Sequence, residues 1–202
     1  VWGQQFNPVK VPLQPHATRY DRAIFSSDRT KLVTAHDETA QLWDVATGRL
    51  VATLSGHHKR ILAMAFSPDG RTILTGSADN TALLWDAATG RTIGAPLAHM
   101  YEVWKVVFGS DGMRILTIAH GSDSITPTQS TLKTGEVMLW EAATGKPISN
   151  FPEHRGPVYC AALSPDGTAV LTGGDDETAR LWRTVDGKLL TNFGGHKGMV
   201  TA

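Results

Sequence analysis

GHHKRILAMAFSPDGRTILTGSADNTALLWD, residues 56–86, holds three apolar runs separated by two different turns. Ile61 to Phe66 reads as a buried strand of β-favouring and small apolar residues. Ser67-Pro68-Asp69-Gly70 then supplies hairpin chemistry. Proline presets φ, aspartate hydrogen-bonds its own turn, and glycine takes positive φ. A second strand contains Ile73-Leu74-Thr75, a tight turn follows at Asp79-Asn80-Thr81, and a third strand ends at Trp85. Beyond it, Ala88-Thr89-Gly90-Arg91 turns the chain into a fourth strand.

The same grammar recurs along the chain. Trp2, Trp43, Trp85, Trp140 and Trp182 are spaced by 41, 42, 55 and 42 residues, and His16, His57, His99, His154 and His196 repeat those intervals. Each Trp precedes its His by 14 residues, and each of the first four His precedes a Thr (Thr34, Thr75, Thr117, Thr172) by 18. From that Thr to the next Trp the distances are 9, 10, 23 and 10. Every change of length therefore falls in one segment, and the third unit carries 13 extra residues there, within Ala119 to Gly135. Such constancy elsewhere requires a fixed geometric unit.

The expected first strands of the later units are Val103 to Phe108 and Val158 to Leu163, and Leu50 to Leu54 is an example of the fourth. The turn Ser26-Ser27-Asp28-Arg29 lacks Pro and Gly and is expected to be looser than its equivalents. Four antiparallel strands in about 42 residues cannot bury both faces alone, so units must stack, and a radial array of blades satisfies this. The fold class is all-β: a β-propeller segment of four-stranded antiparallel blades, four complete with partial blades at both ends. The units are expected at 1–15 (partial), 16–54, 57–97, 99–151, 154–193 and 196–202 (partial), within one segment 1–202.

Gly56-His57, Gly195-His196, Trp43-Asp44 and Trp85-Asp86, with the SPDG and Asp-x-Thr turns, resemble the WD-repeat β-propeller family, and most of all its bacterial members. The resemblance covers essentially the whole chain. It implies a hydrogen-bonded His, Thr, Asp and Trp network in each blade. Those networks are His16-Thr34-Asp37-Trp43, His57-Thr75-Asp79-Trp85 and His154-Thr172-Asp176-Trp182. The third blade offers His99, Thr117 and Trp140, but Thr134 stands where Asp is expected, so that network is broken or rebuilt from the insertion. Repetition in every unit argues for structural ties rather than a catalytic triad, which needs one nucleophile and one base in one pocket.

The resemblance also implies a partner-binding top face, formed by the start of each first strand and the loop before it. Trp104 and Tyr159 hold equivalent places there, with Leu62 and Asp21 in earlier blades. Arg19, Tyr20, Arg60, Tyr101, Glu102 and Arg155 lie beside them. Trp, Tyr and Arg are the residues enriched at binding hot spots. The insertion is either a tolerated surface extension or a second contact loop on that face.

The 19 basic and 19 acidic residues balance, and no basic stripe is present, so neither nucleic acid nor membrane is expected as a partner. The adjacent His57-His58 point apart on extended backbone and have no companion cluster, so no metal or other cofactor is expected. The single Cys160 excludes an internal disulfide and fits a cytoplasmic protein. The opening Val1 and the half-units at both ends lead us to expect a segment of a larger chain, whose open blade edges allow self-association. The functional expectation is a non-enzymatic scaffold for a protein or peptide. The alternative is a sensor region of a larger bacterial signalling protein such as a serine/threonine kinase.

Overall fold

The structure, a computed structural model, describes residues 22–121, 135–151 and 154–201. Its described residues form four antiparallel sheets of four strands each. The first contains β1 (Arg22–Phe25), β2 (Lys31–His36), β3 (Thr39–Asp44) and β4 (Leu50–Ser55). The second contains β5 (Ile61–Phe66), β6 (Thr72–Ser77), β7 (Thr81–Asp86) and β8 (Thr92–Ala98). The third contains β9 (Val103–Phe108), β10 (Arg114–Ala119), β11 (Glu136–Glu141) and β12 (Pro147–Asn150). The fourth contains β13 (Val158–Leu163), β14 (Ala169–Gly174), β15 (Ala179–Arg183) and β16 (Leu189–Phe193). Strands neighbour in chain order within each sheet, so each is a meander, as short turns between consecutive strands dictate. These are the four complete blades expected. The partial unit at 1–15 lies outside the described residues. Near the other end the Val200 amide donates to the Gly174 carbonyl at 3.0 Å, as the Ile61 amide donates to the Asp37 carbonyl at 2.7 Å between blades one and two.

Among the described residues the core is divided into three clusters, and each lies between successive sheets. Val33 and Leu42 of blade one meet Ile73 and Trp85 of blade two. Leu74 and Leu84 meet Ile115 and Trp140. Leu116 and Leu139 meet Val170 and Trp182. Blades approach closely where side chains are small: a Cβ on Gly76 of β6 would stand 2.7 Å from Val103 Cγ1 of β9. The residue before the network threonine is buried wherever a following blade covers it, at Val33, Leu74 and Leu116, whereas its equivalent Leu171 is 43% exposed.

The turn at Ser26 to Arg29 corrects an expectation, for it is closed like the others. The Arg29 amide donates to the Ser26 carbonyl at 2.9 Å, the same bond and distance as Gly70 to Ser67. Arg29 takes the positive φ of 59° that Gly70 takes at 66°. Ser26 Oγ and the Thr30 amide, donating to Asp28 Oδ1 at 2.6 and 3.0 Å, hold the turn without glycine.

Candidate functional site

In blade two the antiparallel pairing of β6 and β7 places Thr75 beside the Trp85 side chain, and the loop before β5 lays His57 over both. Trp85 Nε1 donates to Thr75 Oγ1 at 2.8 Å, and His57 Nε2 lies 2.7 Å from the same oxygen. His57 Nδ1 lies 2.9 Å from Asp79 Oδ2. Asp79 also accepts from the His58 amide at 2.9 Å and the Thr81 hydroxyl at 2.6 Å. Every polar atom of this set is directed at another member, in a site that water hardly reaches.

Blade four repeats the geometry. Trp182 Nε1 donates to Thr172 Oγ1 at 2.8 Å, and His154 lies 2.6 Å from Thr172 Oγ1 and 2.9 Å from Asp176 Oδ1. An Arg180–Asp176 ion pair of 3.1 Å is added. In blade one Trp43 Nε1 donates to Thr34 Oγ1 at 3.0 Å. Its turn is one residue shorter, and Asp37 sits at φ 48° with its carboxylate 3.3 Å from His36 Nε2. His16 lies outside the described residues.

Blade three is rebuilt from a different position. Trp140 Nε1 still donates to Thr117 Oγ1 at 2.8 Å. The carboxylate comes from Glu136, 3.1 Å from both His99 Nδ1 and the Met100 amide. Glu136 stands four residues before its Trp, where Thr39, Thr81 and Thr178 stand in the other blades. From there the longer glutamate reaches the site that Asp79 and Asp176 fill elsewhere. The buried His99 Nε2 has no hydrogen-bond partner among the described residues. Thr134 and the rest of 122–134 lie outside them.

Burial pushes the His57 and His154 imidazoles below their ordinary value, and the facing carboxylates only partly oppose it. Burial alone would raise Asp79, Asp176 and Glu136, but hydrogen bonds outweigh it. The Thr81 hydroxyl leads for Asp79, the Arg155 amide for Asp176 and His99 for Glu136, and all three are held below the ordinary carboxyl range. Both kinds of shift have the same sign for stability. A depressed histidine contributes stability above its unfolded value of about 6.5 and loses it as pH falls through the folded value; the carboxyls do the same from about 4 downwards. The melting temperature is therefore expected to fall from pH 7.5 to 5, with a second fall below about pH 4. A flat profile between pH 7.5 and 5 would remove the neutral-imidazole assignment.

The face that carries the loops before the first strands has a second pattern. Ladder register slips once near the start of β5, β9 and β13, where Ile61 and Ala63, Val103 and Lys105, and Val158 and Cys160 pair with consecutive residues of the neighbouring strand. The residues left over are Leu62, Trp104 and Tyr159. Each is the extra residue of a β-bulge, which turns a side chain away from the ladder. Trp104 is 37% exposed. Its ring stacks on His120 with centroids 5.1 Å apart and planes 2° apart, and its Nε1 donates to the His120 carbonyl at 3.2 Å. The His120 ring also meets that of Tyr159 of blade four edge-on, with centroids 6.0 Å apart.

His120 thus joins two aromatics from different blades, and motif reading missed it. The available signal was positional: it lies three residues after Thr117, where Ala78 and Asp175 lie in the blades beside it. Arg60 and Arg155 are exposed on the same loops, and Tyr101 and Glu102 are half-buried. The Tyr101 ring lies 3.7 Å from where a Gly121 Cβ would stand, and the Glu102 carbonyl accepts the His120 amide at 3.1 Å. Arg19 and Tyr20 lie outside the described residues.

Among the described residues no group of three or more His, Cys, Asp or Glu is placed to hold a metal ion. Burial pushes the Cys160 thiol above its ordinary value, which disfavours a reactive thiolate. No helix among the described residues is long and apolar enough to cross a membrane.

Two segments, 48–86 and 145–183, match the family model described as WD domain, G-beta repeat. Each match runs from the turn before one blade's last strand to the end of the next blade's third strand, so the sequence repeat is offset from the structural blade. Among curated proteins, the chain is 26% identical over 170 residues to the serine-threonine kinase receptor-associated protein of Gallus gallus, covering 82% of this chain and 43% of that protein. The Mus musculus counterpart is 27% identical with the same coverage. The nuclear distribution protein PAC1 of Coprinopsis cinerea is 34% identical over 67 residues, 30% of this chain and 15% of that protein. The chain thus spans less than half the length of these relatives. They are eukaryotic and lend no support to the bacterial likeness or to the kinase-linked alternative.

Proposed function

We propose that this chain is part of a WD-repeat propeller that acts as a non-enzymatic scaffold, binding a protein or peptide on the face where Trp104, His120 and Tyr159 meet. The observation that carries this reading is the use of one bulge position in neighbouring blades to display aromatic rings, joined by a histidine unique to blade three. A half-exposed tryptophan held by a stacked ring and an N–H bond to the backbone presents large apolar area with little entropy left to lose on binding. Arg60, Tyr101, Glu102 and Arg155 supply a polar rim of both charges around it. The His, Thr and Asp sets of blades two and four are structural ties in this reading, because their reactive atoms are occupied by one another. The unit boundaries given above and the cytoplasmic setting belong to the same proposal.

Peptides selected from a displayed random library against the wild-type chain provide the test. Trp104→Ala is expected to weaken their binding about 30-fold, the factor for a hot-spot loss of about 2 kcal/mol. His120→Ala is expected to weaken it less, through loss of ring support. Selected peptides that bind Trp104→Ala as tightly as wild type would place the binding face elsewhere.

A further inference from the structure

On the opposite face, the turns between first and second strands of successive blades are tied together at two boundaries. Lys31 Nζ of blade one donates to the Gly70 carbonyl of blade two at 3.2 Å. Arg114 of blade three lies against Gly167 of blade four, in the space a Cβ would take, while its Nη1 pairs with Asp111 of its own turn at 3.2 Å, and across this boundary Ser110 Oγ donates to the Pro165 carbonyl at 2.9 Å. Lys31, Thr72 and Arg114 are equivalent positions, each five residues after the first residue of its turn. Between blades two and three the position is therefore filled by a short threonine.

A cavity of about 450 Å³ opens at that boundary, lined among others by Thr72, Ile93, Phe108, Gly112, Met113 and Glu141. Met113 is 70% exposed. The Gly112 carbonyl accepts no hydrogen bond among the described residues, although its equivalent Gly70 accepts the Lys31 ammonium. Glu141 is exposed and makes no ion pair among the described residues; its Oε2 accepts only the Thr144 hydroxyl, at 2.5 Å.

We infer that this groove is a docking site for an arginine or lysine side chain of a partner polypeptide, which supplies from outside the tie that Lys31 supplies from within. The methylene stem lies on Ile93, Phe108 and Met113, as long basic side chains cover apolar surface while keeping the charge in water. The cationic head donates to the Gly112 carbonyl and to the Glu141 carboxylate. The apolar floor, the free carbonyl and the unpaired acid match both ends of such a side chain. A purely apolar ligand would leave the carbonyl and the acid unused. This site is separate from the face of Trp104 and does not depend on it.

The test uses the 202-residue chain labelled with 13C at its five methionine methyls. N-acetyl-arginine methylamide is the probe and N-acetyl-norleucine methylamide the apolar control. The arginine probe is expected to move the Met113 signal saturably while Met64, Met100, Met138 and Met199 stay in place. Glu141→Gln is expected to weaken the effect about three- to fivefold, as loss of an exposed ion pair does. Thr72→Lys places the blade-one residue at the blade-two position; it is expected to abolish the response and to raise the melting temperature by adding the internal tie that Lys31 makes to Gly70. The unmoved methyls report that each variant is folded. An unmoved Met113 signal, an equal response to norleucine, or identical responses in all variants would overturn the proposal. A Met113 shift that depends on protein concentration alone would assign the groove to a second copy and equally overturn it.

Discussion

Replacing Thr75 by valine is expected to lower the unfolding free energy by about 2–4 kcal/mol in urea titration, and the same change at Thr117 by about half as much. Valine keeps the shape of threonine and removes only the hydroxyl. In blade two that oxygen serves two buried partners, Trp85 Nε1 at 2.8 Å and His57 Nε2 at 2.7 Å, and each is stranded by the change. A stranded buried polar group costs about 1–3 kcal/mol. In blade three only Trp140 Nε1 loses its partner, because His99 Nε2 already has none among the described residues. Equal losses at the two sites would mean that the histidine–threonine contact contributes nothing, and that the tryptophan bond alone ties each blade.

Phe151→Ala should cost about 3–5 kcal/mol, in the range of fully buried phenylalanines, while Phe193→Ala should stay within about 0.5 kcal/mol. Both residues stand three before a repeat histidine; Phe193 ends β16 and Phe151 directly follows β12. Phe151 is fully buried, packs with Leu139 and Val170, and has its ring 5.7 Å from that of Trp182 in blade four. Phe193 is 45% exposed. The pair compares one side chain with and without a following blade, measured by urea unfolding of the same chain. Equal costs would show that this residue stabilises its own sheet rather than the junction between sheets.

Apolar runs bounded by turn residues were enough to place these first strands. Ile61 to Phe66, Val103 to Phe108 and Val158 to Leu163 begin and end in the structure where their apolar runs begin and end. This follows because a strand's burial pattern and its turn chemistry are local. The looser turn at Ser26 was a misreading for a related reason. Glycine and proline are the visible signals of a tight turn, but a Ser–Asp–Thr hydrogen-bond set can close the same turn and hold Arg29 at positive φ.

The candidate site divides along the same line. The spacing of His57, Thr75, Asp79 and Trp85 is a property of one unit, repeated, and could be read directly. The substitution at blade three could not, because a glutamate two residues further along reaches the carboxylate position only through its extra methylene and its place at the start of β11.

From its amino-acid order alone, this protein is a stack of four-stranded units with one enlarged turn, since turn residues and strand periodicity act over a few positions. Packing decided the rest. The bulges that display Trp104 and Tyr159, the seating of His120 between them, and the gap left where Thr72 stands in place of Lys31 or Arg114 all depend on which residues of adjacent blades face one another. Contacts between residues far apart in the chain leave no period to read.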